Sequence, residues 1–136
     1  QVHPQNGLLV HANHFVSPVA LGKLKDTGPF NTPDSLYRDI RVRDLLQPHI
    51  GSITFDTVKS ALFDEFAYPW SVCRPPRRNL SNNLSATVAM ILMEPASGLM
   101  QVAPLPALNR EFTSYRLEID EIGRAAFERS AAAGAA

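Results

Sequence analysis

The chain has 136 residues, of which 45% are hydrophobic and 19% are charged, a composition typical of globular proteins. Thirteen basic residues balance thirteen acidic ones, so no net field draws the chain to nucleic acid or to anionic lipid, and we expect neither as a partner. The single cysteine excludes an internal disulfide, and no apolar run approaches the roughly 20 residues that span a bilayer.

The first third of the chain predicts a strand, a loop and a helix. An apolar stretch from Leu8 to Val16 follows a turn signal and predicts the strand, while the prolines and glycines of residues 17–33 predict an irregular loop. The helix should begin near Asp34 or Ser35, with the Asp34 carboxylate suited to capping its free N–H groups, and end before Pro48. Its apolar side chains fall on two sides, so we expect it to be packed between other elements.

A second helix should follow, with Thr54 as its N-cap. Its apolar residues lie within about 80° on a helical wheel of ~100° per residue, which predicts one stripe facing the core. The stripe consists of Phe55, Val58, Leu62 and Phe66. The polar and basic residues 74–85 that come later predict a surface loop.

The last third of the chain predicts a hairpin, a further strand and a helix. Ala86–Glu94 and Leu99–Ala103 flank the turn at residues 95–98, and the first of these strands is apolar on both faces, so we expect it to be covered on both sides. Residues 112–119 alternate as a last strand, and Glu121–Arg129 form a short helix. Together these elements predict an α+β fold, an antiparallel sheet with packed helices, over residues 1–129, with a flexible Ala-rich tail over residues 130–136.

Three segments carry chemistry-bearing residues at defined spacings. They are Val10-His11-Ala12-Asn13-His14, then Asp34-Ser35-x-x-Arg38-x-x-Arg41-x-x-x-Leu45-Leu46, and then Tyr68-Pro69-Trp70-Ser71-Val72-Cys73-Arg74. In this order and at these spacings they resemble the C-terminal part of the acyl-coenzyme A:isopenicillin N acyltransferase family, a branch of the N-terminal-nucleophile hydrolases. The resemblance extends from about Gly7 to Leu117.

The resemblance implies a fold and a reaction. The family folds as a four-layer αββα sandwich and cleaves its own chain to expose a cysteine at a new N-terminus, whose α-amino group is the base. The thiol takes the acyl group of an amide or thioester and passes it to an amine or to water. The implied protein is therefore an acyltransferase or amidohydrolase that needs no cofactor, with acyl-coenzyme A as a possible co-substrate and a small-molecule amide or thioester as substrate.

Asn13 matches the asparagine that donates to the oxyanion in this family. A carboxamide suits this role because its NH₂ donates a hydrogen bond without carrying a charge and without titrating. The alternative is that Asn13 merely binds the backbone at the end of a strand, as asparagines often do near turns.

His11 and His14 flank Asn13 and are interpreted as groups that support it, with direct contact of one of them to substrate as the alternative. Side chains at i and i+3 of a strand point to opposite faces, and no cluster of carboxylates or thiolates accompanies them, so we expect no metal site.

The remaining motif residues are expected to have mainly structural roles. Cys73 lies in mid-chain without an α-amine of its own, so we interpret it as a buried structural residue and not as the nucleophile. Arg74 should tie its loop to a carboxylate or a carbonyl, or else meet an anionic ligand. Arg38 and Arg41 are expected to form fixed ion pairs and not to take part in the chemistry.

The chain departs from the family pattern in three places. No residue here matches the nucleophilic cysteine, and Gln1 cannot replace it, so we expect that cysteine on a missing N-terminal part or on a partner subunit, and the isolated chain to be inactive. Asn83-Leu84 replace a Ser-Arg pair of the penicillin-forming member, which leaves a penicillin-type substrate in doubt. Neither a signal peptide nor a peroxisomal C-terminal signal is present, so we expect a cytoplasmic protein.

Two other readings of the chain are open. The chain could be a non-catalytic fragment or partner subunit that only associates with another polypeptide. It could also be an unrelated α+β binding module, although that reading leaves three motifs in register to coincidence. A self-cleavage junction upstream of Gln1 would favour the enzyme.

Overall fold

The computed structural model describes residues 2–31, 33–78 and 83–118, and the chain divides at Thr87 into two compact units. Over these residues the fold is α+β, with four α-helices and two small antiparallel sheets, which confirms the fold class at this level. The predicted helix Glu121–Arg129 and the tail over residues 130–136 lie outside the described residues. Within the described part of the chain, no helix combines the length and apolar character that a membrane crossing requires.

The first unit contains the helices α1 Pro18–Leu21, α2 Gly28–Asn31, α3 Asp34–Leu46 and α4 Phe55–Leu62, with a 3₁₀ turn at Gln47–His49. The predictions of α3 and α4 are confirmed. The prediction of an irregular loop over residues 17–33 is wrong in part, because this region forms the single turns α1 and α2. Pro18 stands in the first turn of α1, where its fixed φ suits a helix and its missing N–H costs nothing.

The predicted strand over Leu8–Val16 is absent. Leu8 makes one isolated bridge with Gln5, and residues 9–16 form no strand. A strand needs a neighbouring strand for its backbone groups, and here the carbonyl of Val10 accepts a hydrogen bond from the Arg43 side chain of α3 instead. Apolar composition alone therefore gave the wrong element here.

The core of the first unit lies where α3 packs against α4. Leu8, Val42, Leu46 and Ala61 are buried there, and Val10, Leu45, Val58, Leu62 and Val72 pack against them. The expectation that α3 is covered on both sides is wrong within the described residues. Leu36 and Ile40 are 46% and 58% exposed, whereas the polar residues Ser35 and Asp39 are buried.

The start of α4 agrees with the prediction. Thr54 and Thr57 form a reciprocal capping box, in which each side chain accepts the backbone N–H of the other residue. This arrangement satisfies two of the N–H groups that a helix start leaves open. Phe66, the last member of the predicted stripe, lies beyond the end of α4 and is exposed.

Two short strands, β1 Arg77–Arg78 and β2 Leu84–Ser85, pair antiparallel within the region predicted as a surface loop. The second unit is a three-stranded antiparallel sheet in the order β3-β4-β5, formed by Ala89–Glu94, Leu99–Pro104 and Thr113–Arg116. The predicted hairpin is thus confirmed, with its turn at residues 95–98. Gly98 is required there, because its φ is +66° and a Cβ would lie 2.7 Å from Leu117 O.

The two faces of the sheet differ in exposure. Met90, Leu92 and Ala103 are buried on one face. On the other face Ile91 and Met93 are 52% and 66% exposed. The expectation that β3 is covered on both sides is therefore wrong for the part of the chain that the structure describes.

Candidate functional site

The segment Val10–His14 lies along α3 and is held by side chains of that helix. Arg43 Nη2 donates to Val10 O at 3.2 Å, and Arg38 Nη2 donates to Asn13 Oδ1 at 3.2 Å. One residue further on, His14 Nδ1 and Ser35 Oγ lie 2.9 Å apart. Three side chains of α3 thus contact this segment, one through a backbone carbonyl and two through side chains.

The contact with Arg38 fixes which way the Asn13 carboxamide is turned. A guanidinium only donates hydrogen bonds, so the atom facing it must be the carbonyl oxygen Oδ1. The Nδ2 group of Asn13 then points away from Arg38, and no acceptor in the described ranges takes its hydrogens. Asn13 as a residue is exposed to solvent.

Asp26 fixes the backbone on the far side of Asn13. Its carboxylate accepts the N–H of Phe15 at 2.7 Å and the N–H of Gly28 at 2.9 Å. Gly28 thereby lies so close to Asn13 that a Cβ at position 28 would be 3.0 Å from Asn13 O. Glycine is therefore the residue that the close approach permits.

Behind Asn13 lies a chain of charged groups centred on Asp34. Asp34 Oδ2 accepts from Arg38 Nε at 3.0 Å and from Arg74 Nη1 at 3.1 Å. Arg74 is in turn held by its backbone, because its N–H donates to Thr87 Oγ1 at 2.9 Å and its carbonyl accepts the N–H of Thr87 at 3.0 Å. Burial, and next the positive charge of Arg74, lower the pKa of Arg38, while Asp34 opposes this.

The role predicted for Asp34 as the N-cap of α3 is wrong. Pro33 occupies the cap position, and no side chain accepts a hydrogen bond there. The Asp34 carboxylate is instead occupied by the two guanidinium groups. Both charge-assisted hydrogen bonds end on Oδ2, while Oδ1 is buried and has no hydrogen-bond partner among the described residues.

His11 and His14 lie on one side of the segment. Their rings stack with centroids 6.2 Å apart and an angle of 15° between the planes. The prediction of opposite faces is wrong because it assumed a strand that does not form. His14 Nε2 lies 4.0 Å from Asp39 Oδ2, and the described residues contain no group of three or more side chains placed to hold a metal ion.

Arg41 is directed away from Asn13. It donates to both carboxylate oxygens of Asp64, at 3.0 and 2.7 Å, and its guanidinium lies 5.0 Å from the centre of the Phe66 ring. The hydrogen bond with Asp64 raises the pKa of Arg41. Burial and the negative charge of Asp64 raise the pKa of Tyr37, whose hydroxyl donates to Phe66 O.

Cys73 is buried, as expected of a structural cysteine. Its carbonyl accepts a hydrogen bond of 2.7 Å from the hydroxyl of Ser71, which is itself completely buried. Two cavities lie beside motif segments, and Cys73 lines neither of them.

A cavity of about 610 Å³ opens beside His11. Its walls are mainly apolar, with His11, Ser17 and Lys23 as polar members and with Phe15, Val19 and Leu24 among the apolar ones. A smaller apolar cavity of about 310 Å³ lies at the start of α3, between Tyr37 and Trp70. His11 and Phe15, two positions before and after Asn13 in the sequence, line the first cavity, and Asn13 itself does not.

Only part of this site could be predicted from the sequence. The i,i+4 spacing of Asp34 with Arg38 and of Asp39 with Arg43 was a visible signal for ion pairs on α3. Nothing in the sequence pairs Ser35 with His14, because that contact depends on how the segment crosses the helix. The role of Asp26 had a local signal, an aspartate two residues before a glycine, which is common in turns.

No protein-family model matches this chain, and comparisons with curated proteins and with solved structures also give no match. What the site can do follows from its own residues and from their contacts.

Proposed function

We propose that this chain supplies the oxyanion donor of an acyltransferase or amidohydrolase that works through an acyl-cysteine intermediate. The donor is Nδ2 of Asn13, and the nucleophilic cysteine lies on polypeptide outside these 136 residues. The observation that carries the proposal is the 3.2 Å hydrogen bond from Arg38 to Asn13 Oδ1, which turns the NH₂ of this exposed residue away from Arg38. The three motifs and their resemblance to the penicillin acyltransferase family support the choice of reaction.

The proposed reaction places a developing negative charge next to Asn13. A thiolate attacks the carbonyl carbon of the substrate, the carbonyl oxygen becomes an oxyanion, and Nδ2 of Asn13 donates to it. Collapse of the tetrahedral intermediate expels an amine or a thiolate, and an amine or water then takes the acyl group from the cysteine. Because Arg38 polarises the amide through Oδ1, the Nδ2 hydrogens become better donors.

The other motif residues support this centre. The cavity beside His11 offers an apolar environment for the substrate, with the imidazole at its wall. His14 holds the segment to α3 through Ser35. Arg74 acts from behind through Asp34 and not by contact with substrate. The proposal requires no cofactor, with acyl-coenzyme A as a co-substrate where the acyl donor is a thioester.

The proposal also covers the complete fold and the cellular compartment. The described sheets and helices form part of an αββα sandwich whose remaining layers come from other polypeptide. A cysteine that makes no disulfide within the chain suits a reducing compartment, which favours the cytoplasm.

Turnover by the complete polypeptide, measured on a panel of amides and thioesters, tests the role of Asn13. Asn13→Ala should lower kcat by about 10²–10³, the usual loss for one oxyanion donor. Asn109→Ala, an exposed asparagine of the second unit, is the matched control and should leave kcat unchanged. An Asn13→Ala variant with wild-type kcat would remove Asn13 from the chemistry.

Acyl-enzyme trapping tests the identity of the nucleophile. An electrophilic substrate analogue should label a cysteine outside these 136 residues, and mass spectrometry would locate it. Cys73→Ser should keep both the labelling and a kcat close to wild type. Labelling of Cys73, or complete loss of activity in folded Cys73→Ser, would show that the nucleophile has been misassigned.

A second candidate function is a non-catalytic subunit that only associates with a partner. The exposed apolar face of the sheet in the second unit favours it, since Ile91, Met93 and Tyr115 are all more than half exposed there. A complete polypeptide that labels no cysteine and turns over no member of the panel, yet holds this chain in a stable complex, would support this candidate.

A further inference from the structure

We propose that Arg38 is a positioning residue, anchored by Asp34 and Arg74, that keeps the Asn13 carboxamide turned with its NH₂ outward. This inference rests on the proposed function, because it concerns how the oxyanion donor is held. It differs from the interpretation of Arg38 as a purely structural ion pair, since it assigns the residue a measurable effect on the chemical step.

The geometry of the guanidinium carries the first part of the argument. Arg38 uses two nitrogens of one rigid, planar group, with Nε bonded to Asp34 at 3.0 Å and Nη2 bonded to Asn13 at 3.2 Å. Because the group is rigid, the bond from Nε to Asp34 also restricts the position of Nη2. The Arg38 side chain is only 17% exposed, and its bond to Asp34 is partly buried, whereas its bond to Asn13 lies at the surface.

Asp34 is itself held in place by further contacts. The Asp34 side chain is 6% exposed, and its Oδ2 also accepts from Arg74. The backbone N–H and carbonyl of Arg74 both pair with Thr87, which fixes the main chain from which its side chain reaches Asp34. Hydrogen bonds thus run in sequence from Thr87 through Arg74, Asp34 and Arg38 to Asn13.

The chemistry of the amide explains why positioning matters. Oδ1 and Nδ2 have nearly the same shape, so rotation by 180° about χ2 exchanges a donor for an acceptor at the same place. An outward-facing Oδ1 would repel the oxyanion that Nδ2 should stabilise. Arg38 opposes that rotation, because the rotated amide would direct two N–H groups at a group that only donates.

Arg38→Lys is the sharpest variant, since it keeps the positive charge but cannot bond Asp34 and Asn13 through one planar group. In the complete polypeptide it should lower kcat by about 10- to 100-fold with KM little changed, as expected when a reacting group is misplaced. Arg41→Lys is the matched control on the same helix, because Arg41 pairs with Asp64 and not with Asn13. It should leave kcat unchanged.

A double-mutant cycle separates positioning from other effects. In the Asn13→Ala background, Arg38→Lys should cause no further loss of kcat, because nothing remains to be positioned. An equal loss in both backgrounds would overturn the proposal, since Arg38 would then act elsewhere.

The side-chain NH₂ resonances of Asn13 in a ¹H–¹⁵N spectrum give a readout that does not depend on activity. Arg38→Lys should shift or broaden them, and Arg41→Lys should not. If Asn13→Ala lowers kcat while Arg38→Lys changes neither kcat nor these resonances, positioning by Arg38 is overturned and the proposed function stands. If Asn13→Ala leaves kcat unchanged, both proposals are overturned.

Discussion

Asp34 and Arg74, which are 40 positions apart in the chain, are joined by a 3.1 Å hydrogen bond from Arg74 Nη1 to Asp34 Oδ2. Arg38 shares the same carboxylate oxygen at 3.0 Å. One buried negative charge therefore holds two positive ones together, and it links the start of α3 to the loop that follows α4. The charge of Asp34 is the central element of this part of the first unit.

Asp34→Asn should destabilise the protein strongly. It leaves two neighbouring, largely buried guanidinium groups without their counter-charge, and removal of one partner from a buried ion pair costs about 3–5 kcal/mol. The free energy of unfolding in urea gives the measurement. Asp56→Asn is the control, because the Asp56 side chain is 95% exposed, and it should cost less than about 1 kcal/mol. Equal effects of the two substitutions would contradict the description of this cluster.

Gly28→Ala should impair the site more than the fold. The added Cβ would lie 3.0 Å from Asn13 O, so the backbone at Asn13 must shift by a few tenths of an ångström. We expect a loss of kcat of about tenfold from this displacement. Gly22→Ala is the matched control, since its Cβ would meet its nearest neighbour at 3.4 Å, an ordinary contact. A wild-type kcat for Gly28→Ala would show that the position of the Asn13 backbone is not critical.

The 136-residue chain should self-associate when it is produced alone. The exposed face formed by Ile91, Met93 and Tyr115 buries apolar surface on contact with another molecule. Replacing both Ile91 and Met93 with lysine should shift sedimentation profiles towards the monomer. The same double change at Leu36 and Ile40, exposed on α3, serves as the control and should have less effect. A wild-type chain that sediments as a single monomer and melts cooperatively would contradict this prediction.

The sequence predicted those elements whose causes are local. A threonine cap followed by an apolar stripe was enough to predict α4, and two apolar runs around a turn with Gly98 were enough to predict the hairpin. The start of α3 was also correctly placed at Asp34. In each case the physical reason for the element lies within a few residues of it.

The sequence failed where distant contacts decide the structure. The apolar run from Leu8 to Val16 suited a strand, but it lies along α3, which offers guanidinium and hydroxyl groups and no backbone ladder. The loss of the strand placed His11 and His14 on one side. The resemblance to a family singled out Asn13, but only the structure shows that Arg38 fixes the direction of its amide.

The affinity of an aldehyde analogue tests the oxyanion role of Asn13 most directly. Such an analogue of the fastest substrate forms a tetrahedral adduct with the nucleophilic cysteine, whose oxygen stands where the oxyanion forms. In the complete polypeptide, Asn13→Ala should raise the inhibition constant of the aldehyde about 100-fold while changing substrate KM by less than about threefold. An inhibition constant that does not change, or that changes only in step with KM, would contradict the account.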